Sequence, residues 1–339
     1  MAGRCARVNE RTITCGGDGQ PARAFIDYVD VVSLGGGIGC ARRHEGSWWC
    51  AGLGPGYEIK GVDPDVFQPR PSPVRALQGA KQVAFGGRHG CAIADGGGVA
   101  CWGFNEAGQL GVETARACYF MKRSMHCLSE PRLVDGVSDA LELALPAEAS
   151  CARTARGEVL CWGKVARTSP AEPSACTDDD DAPCRPPPPA RVAGLSGVIG
   201  LAAGDYFVCA LRDDGRVACW GSNASGVLGA GFAGALSRTP VVVEGVDDVV
   251  RIAAGQANVC ALRGDGRVRC WGSGRGGYLN APASVYEVEG LDDVVELATK
   301  DGKACALRAG GQTMCWPTDP PVAAGGAGRR AVAAPAPPL

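Results

Sequence analysis

Histidine, methionine and aromatic residues are all scarce in this chain, with three His, four Met and 6% aromatics among 339 residues. His44, His89 and His126 lie scattered, and no motif gives any of them a nucleophile and an acidic partner. The sequence therefore shows no catalytic triad, although an active site assembled from several distant segments would leave no such motif. No run of about 18 apolar residues exists, so no segment reads as a spanning helix. The opening MAGRCARVNE lacks the apolar core of a secretory signal. Basic residues are dispersed, and a net charge of −2 gives no electrostatic reason to expect nucleic acid.

Glycine, proline and cysteine are abundant instead, at 51, 23 and 18 residues. The cysteines follow one pattern. C-A-x8-C pairs Cys5 with Cys15, Cys40 with Cys50, Cys91 with Cys101, Cys151 with Cys161, Cys209 with Cys219, Cys260 with Cys270, and Cys305 with Cys315. In CALRDDGRVACW, Cys209 to Trp220, a hairpin turning at Asp213, Asp214 and Gly215 sets Arg212 opposite Arg216 and Cys209 opposite Cys219. Their Cα atoms would lie roughly 4.5 Å apart in a non-hydrogen-bonded pair, at the short edge of disulfide geometry. A helical C-x9-C pair is the competing reading, but a mid-segment glycine flanked by turn residues opposes it. Glycine holds the turn in six copies (Gly46, Gly97, Gly157, Gly215, Gly266, Gly311), while the first has Arg11. Trp follows the second cysteine in five copies (Trp102, Trp162, Trp220, Trp271, Trp316), while the first two have Gly16 and Ala51.

The remaining cysteines form two close pairs, Cys118 with Cys127 and Cys176 with Cys184, inside long spacers between repeats. An even count without remainder, in spacings unlike the C-x2-C of zinc sites, favours disulfides over metal ligation. No metal or other cofactor is expected.

Before most hairpins runs a strand ending in small residues, such as VIGLAAG at 198–204 and VVRIAAG at 249–255. After most comes a Pro-led extended segment, such as TPVVVEGV at 239–246. Each repeat thus reads as a four-stranded meander. The first cysteines, at 5, 40, 91, 151, 209, 260 and 305, recur at a period of about 50 residues, the mark of one small sheet per structural unit. The expected fold is all-β: a seven-bladed β-propeller of four-stranded antiparallel blades. Gly- and Ala-rich first strands suit the crowded innermost position. The chain opens in mid-blade, so RRAVAAP at 329–335, which aligns with VVRIAAG, is expected to close the ring as the first strand of blade one. PPVAA at 320–324 would then serve as the last strand of blade seven. One domain over 1–339 is expected, with inserted disulfide loops at 112–129 and 164–188.

The blocks GGRHGCAIADGGGVACWGFNEAGQLG at 86–111 and CALRDDGRVACWGSNASGVLG at 209–229 resemble the regulator of chromosome condensation repeat. That resemblance spans nearly the whole chain and implies a seven-bladed propeller. The cysteine-rich form resembles repeat proteins of secreting bacteria, and the family often carries His where His89 stands, which implies packing. Nine disulfides imply an oxidising compartment: extracellular, periplasmic or cell-surface, with a signal upstream or removed. A cytoplasmic chain with reduced thiols is the alternative.

Two inserted segments stand out as candidate sites. CYFMKRSMHC at 118–127 carries Tyr119, Phe120, Met121 and Met125 beside Lys122 and Arg123, a composition of interface hot spots. Its bland reading is a satellite cluster packed on its own propeller. CTDDDDAPC at 176–184 holds Asp178, Asp179, Asp180 and Asp181 before the stiff RPPPP. Its spacing lacks the central Gly and distal Glu of a calcium loop, which favours a solvated acidic loop. Asn223-Ala224-Ser225 is formally a glycosylation sequon but falls on the repeat's own Asn-x-x-Gly turn.

A non-enzymatic, monomeric propeller that binds a protein or glycan on one face is the expected function, as the resemblance to this family and to secreted propeller inhibitors of β-lactamase implies. An axial lyase or hydrolase is the second reading, opposed by first strands that offer chiefly Ala, Gly and Leu. Ran-type nucleotide exchange follows from family analogy alone.

Overall fold

The structure, a computed structural model, describes residues 4–9, 12–16, 23–26, 28–32, 38–43, 45–52, 68–120, 123–165, 176, 183–229, 236–272, 285–300, 302–318 and 331–335. Of several strand residues among these, including those before Cys40, only the backbone is described. His44 and Asp178 to Asp181 lie outside the described residues.

The fold is all-β. The described residues form seven sheets, each built on one cysteine hairpin. The fifth shows the plan, running Val198–Ala203, Phe207–Arg212, Val217–Gly221 and Ser237–Val242 in spatial order. Cys209 faces Cys219, Ala210 faces Ala218 and Leu211 faces Val217, the register expected from the turn. Arg212 N–H donates to Arg216 O at 2.9 Å, and Gly215 closes the turn at a φ of 74°. A left-handed backbone there excludes most side chains without strain. Six hairpin disulfides, from Cys40–Cys50 to Cys305–Cys315, span 4.1 Å between Cα atoms. Cys5 and Cys15 face each other in the first sheet by backbone register.

Two compact units divide the chain: Met1–Ala155 with Leu160–Lys164 and Ala171–Ala190, and Arg156–Val159 with Val165–Pro170 and Arg191–Leu339. In the first, one core gathers Trp48, Leu77, Val83 and Trp102, and another gathers Ile93, Val99, Leu110, Val134, Leu143 and Trp162. In the second, Phe207, Leu211, Val243, Val259 and Trp271 form one core, and Leu262, Val288, Met314 and Trp316 another. The Trp after each second cysteine is buried in all five copies. Trp271 also donates its indole N–H to Val227 O at 2.8 Å, satisfying its one polar group inside the core.

Turn glycines also tie one sheet to the next inside each unit. Ala140 N–H donates to Gly97 O at 2.9 Å in the first, and Val249 N–H to Gly215 O at 3.0 Å in the second. The residue so held starts a first strand and is buried. The next residue bulges out of register, which exposes Leu141 in the first unit and Val250 and Val295 in the second. Ile199 bulges in the same way at the start of the fifth sheet.

The C-terminal segment departs from the expected closing role. Rather than joining Cys5 and Cys15 in the first sheet, Ala331–Val332 pairs in parallel with Tyr286–Glu289, and Ala334–Pro335 pairs with Thr313–Pro317 as the outer strand of the seventh sheet. The first sheet comprises three described strands, Arg4–Asn9, Thr12–Gly16 and Arg23–Ile26. The segment takes the place that the Pro-led strand holds after other hairpins. Pro335 faces Met314, one residue before Cys315, just as Pro73 faces Trp49, one residue before Cys50. An edge strand tolerates a residue without N–H. PPVAA at 320–324 lies outside the described residues.

Candidate interaction surface

Asn105, at the end of the hairpin strand Val99–Phe104, organises the turn that follows it. Its Oδ1 accepts the Leu110 N–H at 2.8 Å, and its carbonyl accepts the Gly108 N–H at 2.9 Å. Asn223 does the same in the fifth sheet, accepting from Leu228 and Gly226 at 3.0 Å each. In the third sheet the Asn also gathers inserted chain. Asn105 Nδ2 donates to Val112 O at 2.9 Å and to Thr114 Oγ1 at 3.0 Å, and its backbone N–H donates to His126 O at 2.8 Å.

The first insertion is a hairpin rather than a loop. Arg116–Phe120 pairs antiparallel with Arg123–Leu133, and the latter runs on as the fourth strand beside Val99–Phe104. Two successive aromatic residues, Tyr119 and Phe120, suit an extended strand better than a loop. The Cys118–Cys127 disulfide closes its base, with Cys127 buried. Glu106 fixes the same end: its Oε1 accepts the His126 N–H at 2.6 Å and lies 3.4 Å from His126 Nδ1. His126 is thus a buried anchor of the hairpin. Met125 is half-buried, and Met121 and Lys122 lie outside the described residues. Tyr119, Phe120 and Arg123 are placed by their backbone, at the outer end of the hairpin, where Tyr119 faces Ser124 and Phe120 faces Arg123. The stretch 114–127 carries Arg116, Lys122 and Arg123 and no acidic residue.

The second insertion reaches the same place. Cys184 is buried and exchanges two backbone hydrogen bonds with Thr114, at 3.0 and 2.8 Å. Its disulfide partner Cys176 is buried as well. Arg185 then pairs with Glu113 at 3.2 Å on the surface. The two cysteine-bridged insertions, read as separate candidates from the sequence, meet at the turn between Asn105 and Thr114. Sequence reasoning missed that meeting, for which the extra cysteine pairs were the one available signal. It also missed the bulged Leu141, Ile199, Val250 and Val295, which stand second in ALELA, VIGLAA, VVRIAA and VVELATK.

His89 lies beside a serine hydroxyl. Its Nε2 lies 2.8 Å from Ser150 Oγ, and Ser150 O–H donates to Gln109 O at 2.8 Å. Both side chains are fully buried. Burial pushes the imidazole pKa down to about 3, against a smaller upward effect of a backbone hydrogen bond at Ala149. A neutral imidazole donating to a serine whose own proton is committed elsewhere packs two strands together. It does not activate a nucleophile.

The family model for the regulator of chromosome condensation (RCC1) repeat matches residues 80–109, 198–227 and 249–277, and a second model of that repeat matches 214–262. Among curated proteins, the chain is similar to the RCC1 domain-containing protein RUG3, mitochondrial, of Arabidopsis thaliana, at 28% identity over 75% of this chain. The chain spans 57% of that relative's length. Among solved structures it is similar to Prp20p of Saccharomyces cerevisiae, with a TM-score of 0.66 at 19% identity, covering 92% of this chain and 80% of the other. Human WBSCR16 gives a TM-score of 0.66 at 20% identity, covering 89% and 83%. These likenesses are of fold: the sheets are propeller blades.

Proposed function

We propose that this chain, which belongs to the regulator of chromosome condensation repeat family, is a non-enzymatic interaction protein whose binding surface is the outer end of the inserted hairpin, around Tyr119 and Phe120. A propeller of this family has an interaction or regulatory role. The observation that carries the finer reading is the convergence of two disulfide-bridged insertions on Asn105 and Thr114. Arg116–Phe120 is a fifth strand beyond a four-stranded sheet, and each insertion is pinned by a cystine with at least one buried cysteine. Rigid anchoring of an apolar, basic hairpin lowers the ordering cost of binding.

The partner is a protein, with a glycan as the competing ligand. The compartment we infer is extracytoplasmic, because cystines in six of the hairpins persist where thiols are oxidised. Affinity capture from a native envelope or secreted fraction, followed by Tyr119→Ala with Phe120→Ala, tests the surface. The double variant should change stability by less than about 0.5 kcal/mol and cost at least about 2 kcal/mol in affinity. Lost stability with unchanged affinity would make the hairpin a packed cluster and move the binding face elsewhere. Free thiols in the protein isolated from that fraction would overturn the compartment.

A further inference from the structure

Residues 185–189, Arg-Pro-Pro-Pro-Pro, follow the buried Cys184 directly. Proline holds its own φ near about −65° and keeps the residue before it out of the helical region. Arg185, Pro186, Pro187 and Pro188 each precede a proline, so the stretch has one comfortable backbone, the polyproline II helix. Burial shows the three-residue period of that helix. Pro186 and Pro189 are half-buried, whereas Arg185, Pro187, Pro188 and Ala190 are exposed. One ridge of the helix lies on the protein and the other two face solvent.

The segment is pinned at both ends. Cys184 is held by its disulfide and by Thr114, and Ala190 enters the short strand Ala190–Arg191.

We propose that residues 185–190 are a ligand for a partner domain whose aromatic-lined groove reads a polyproline II helix, with an acidic residue beside the groove to meet Arg185. Such grooves seat proline rings from adjacent ridges, and Pro187 with Pro188 presents two. A free proline-rich peptide has little entropy to lose on binding, and a strap tied at both ends has less. Arg185 is free to exchange partners, because its ion pair with Glu113 is exposed on both sides and such pairs are weak. The inference goes beyond the hairpin reading and does not rest on it.

The test is a titration of the intact protein against isolated SH3, WW and EVH1 domains, the groove types that read this helix. Saturable binding by one class is expected, weakened at least about tenfold in Pro187→Ala with Pro188→Ala, and unchanged in Tyr119→Ala with Phe120→Ala. Arg185→Glu, a surface change that leaves every proline in place, should weaken binding severalfold and reduce its salt dependence. No binding by the intact protein, or equal binding by the proline and arginine variants, would overturn the proposal and leave the segment a rigid spacer. Loss of the hairpin's own partner in Tyr119→Ala with Phe120→Ala, alongside a failed titration, would sink this inference alone.

Discussion

Thr114 and Cys184 exchange a pair of backbone hydrogen bonds, 3.0 Å from the Thr114 N–H and 2.8 Å from the Cys184 N–H. An isolated bridge of this kind joins segments that belong to two different repeats. A surface ion pair between Arg185 and Glu113 and the cystine behind it reinforce so short a bridge from the Cys184 side.

Removing that cystine is therefore expected to free the second insertion. Cys176→Ser with Cys184→Ser should lower stability by about 2–3 kcal/mol in the chain-entropy model and speed hydrogen exchange at the Thr114 and Cys184 amides. Exchange at Leu110, held by Asn105 Oδ1 inside the blade, should stay slow. Unaltered exchange at Thr114 would show that the bridge stands without the disulfide.

The turn glycines divide into two kinds, and a pair of variants separates them. Gly46 has a φ of 86° with nothing within 4 Å of an added Cβ, whereas at Gly215 that atom would lie 3.3 Å from Asp248 N and Cα. Gly46→Ala should cost roughly 1–2 kcal/mol, the expense of a left-handed L-residue. Gly215→Ala should cost more, because the backbone of the next blade must also give way. Thermal melts of the two variants decide it, and equal losses would mean that the neighbouring strand yields freely.

Acid should destabilise the protein through His89. The unfolded imidazole titrates near about 6.5, while the folded one is lowered to about 3 by burial. Between those values the unfolded chain binds a proton that the folded chain refuses. Stability therefore rises with pH across that window and falls as pH drops through it, by about 1.4 kcal/mol per pH unit at most. Asn258 occupies the matching position in the sixth sheet, and His89→Asn should remove this slope. Denaturant midpoints measured from about pH 6.5 downward should converge for the two proteins. Parallel curves would show that His89 takes up its proton without unfolding.

Local geometry explains what the sequence could reveal. Cysteines ten residues apart around a left-handed glycine have one antiparallel register, so Cys209 opposite Cys219 and Arg212 opposite Arg216 follow from spacing alone. The role of the C-terminal segment was harder to read, because RRAVAAP and VVRIAAG share small residues while strands as short as Ala331–Val332 and Ala334–Pro335 carry no periodicity. Pro335 was the informative residue there. The meeting of the two insertions was illegible for a different reason: Asn105 and Cys184 are 79 residues apart, and no local pattern encodes their proximity. Val250 and Val295 look like core positions in VVRIAA and VVELATK, since a bulge shifts the alternation without leaving a mark in composition.

The short span of each hairpin cystine sets the order in which the chain can be oxidised. In the six described hairpins the two sulfurs are separated by ten residues, always within one turn. Closing so short a loop costs little entropy compared with any pairing between blades. A chain emerging N-terminus first can therefore seal each hairpin before the next pair of thiols arrives. Native connectivity is then the pairing with the least loop-closure entropy to lose, favoured over any link between blades.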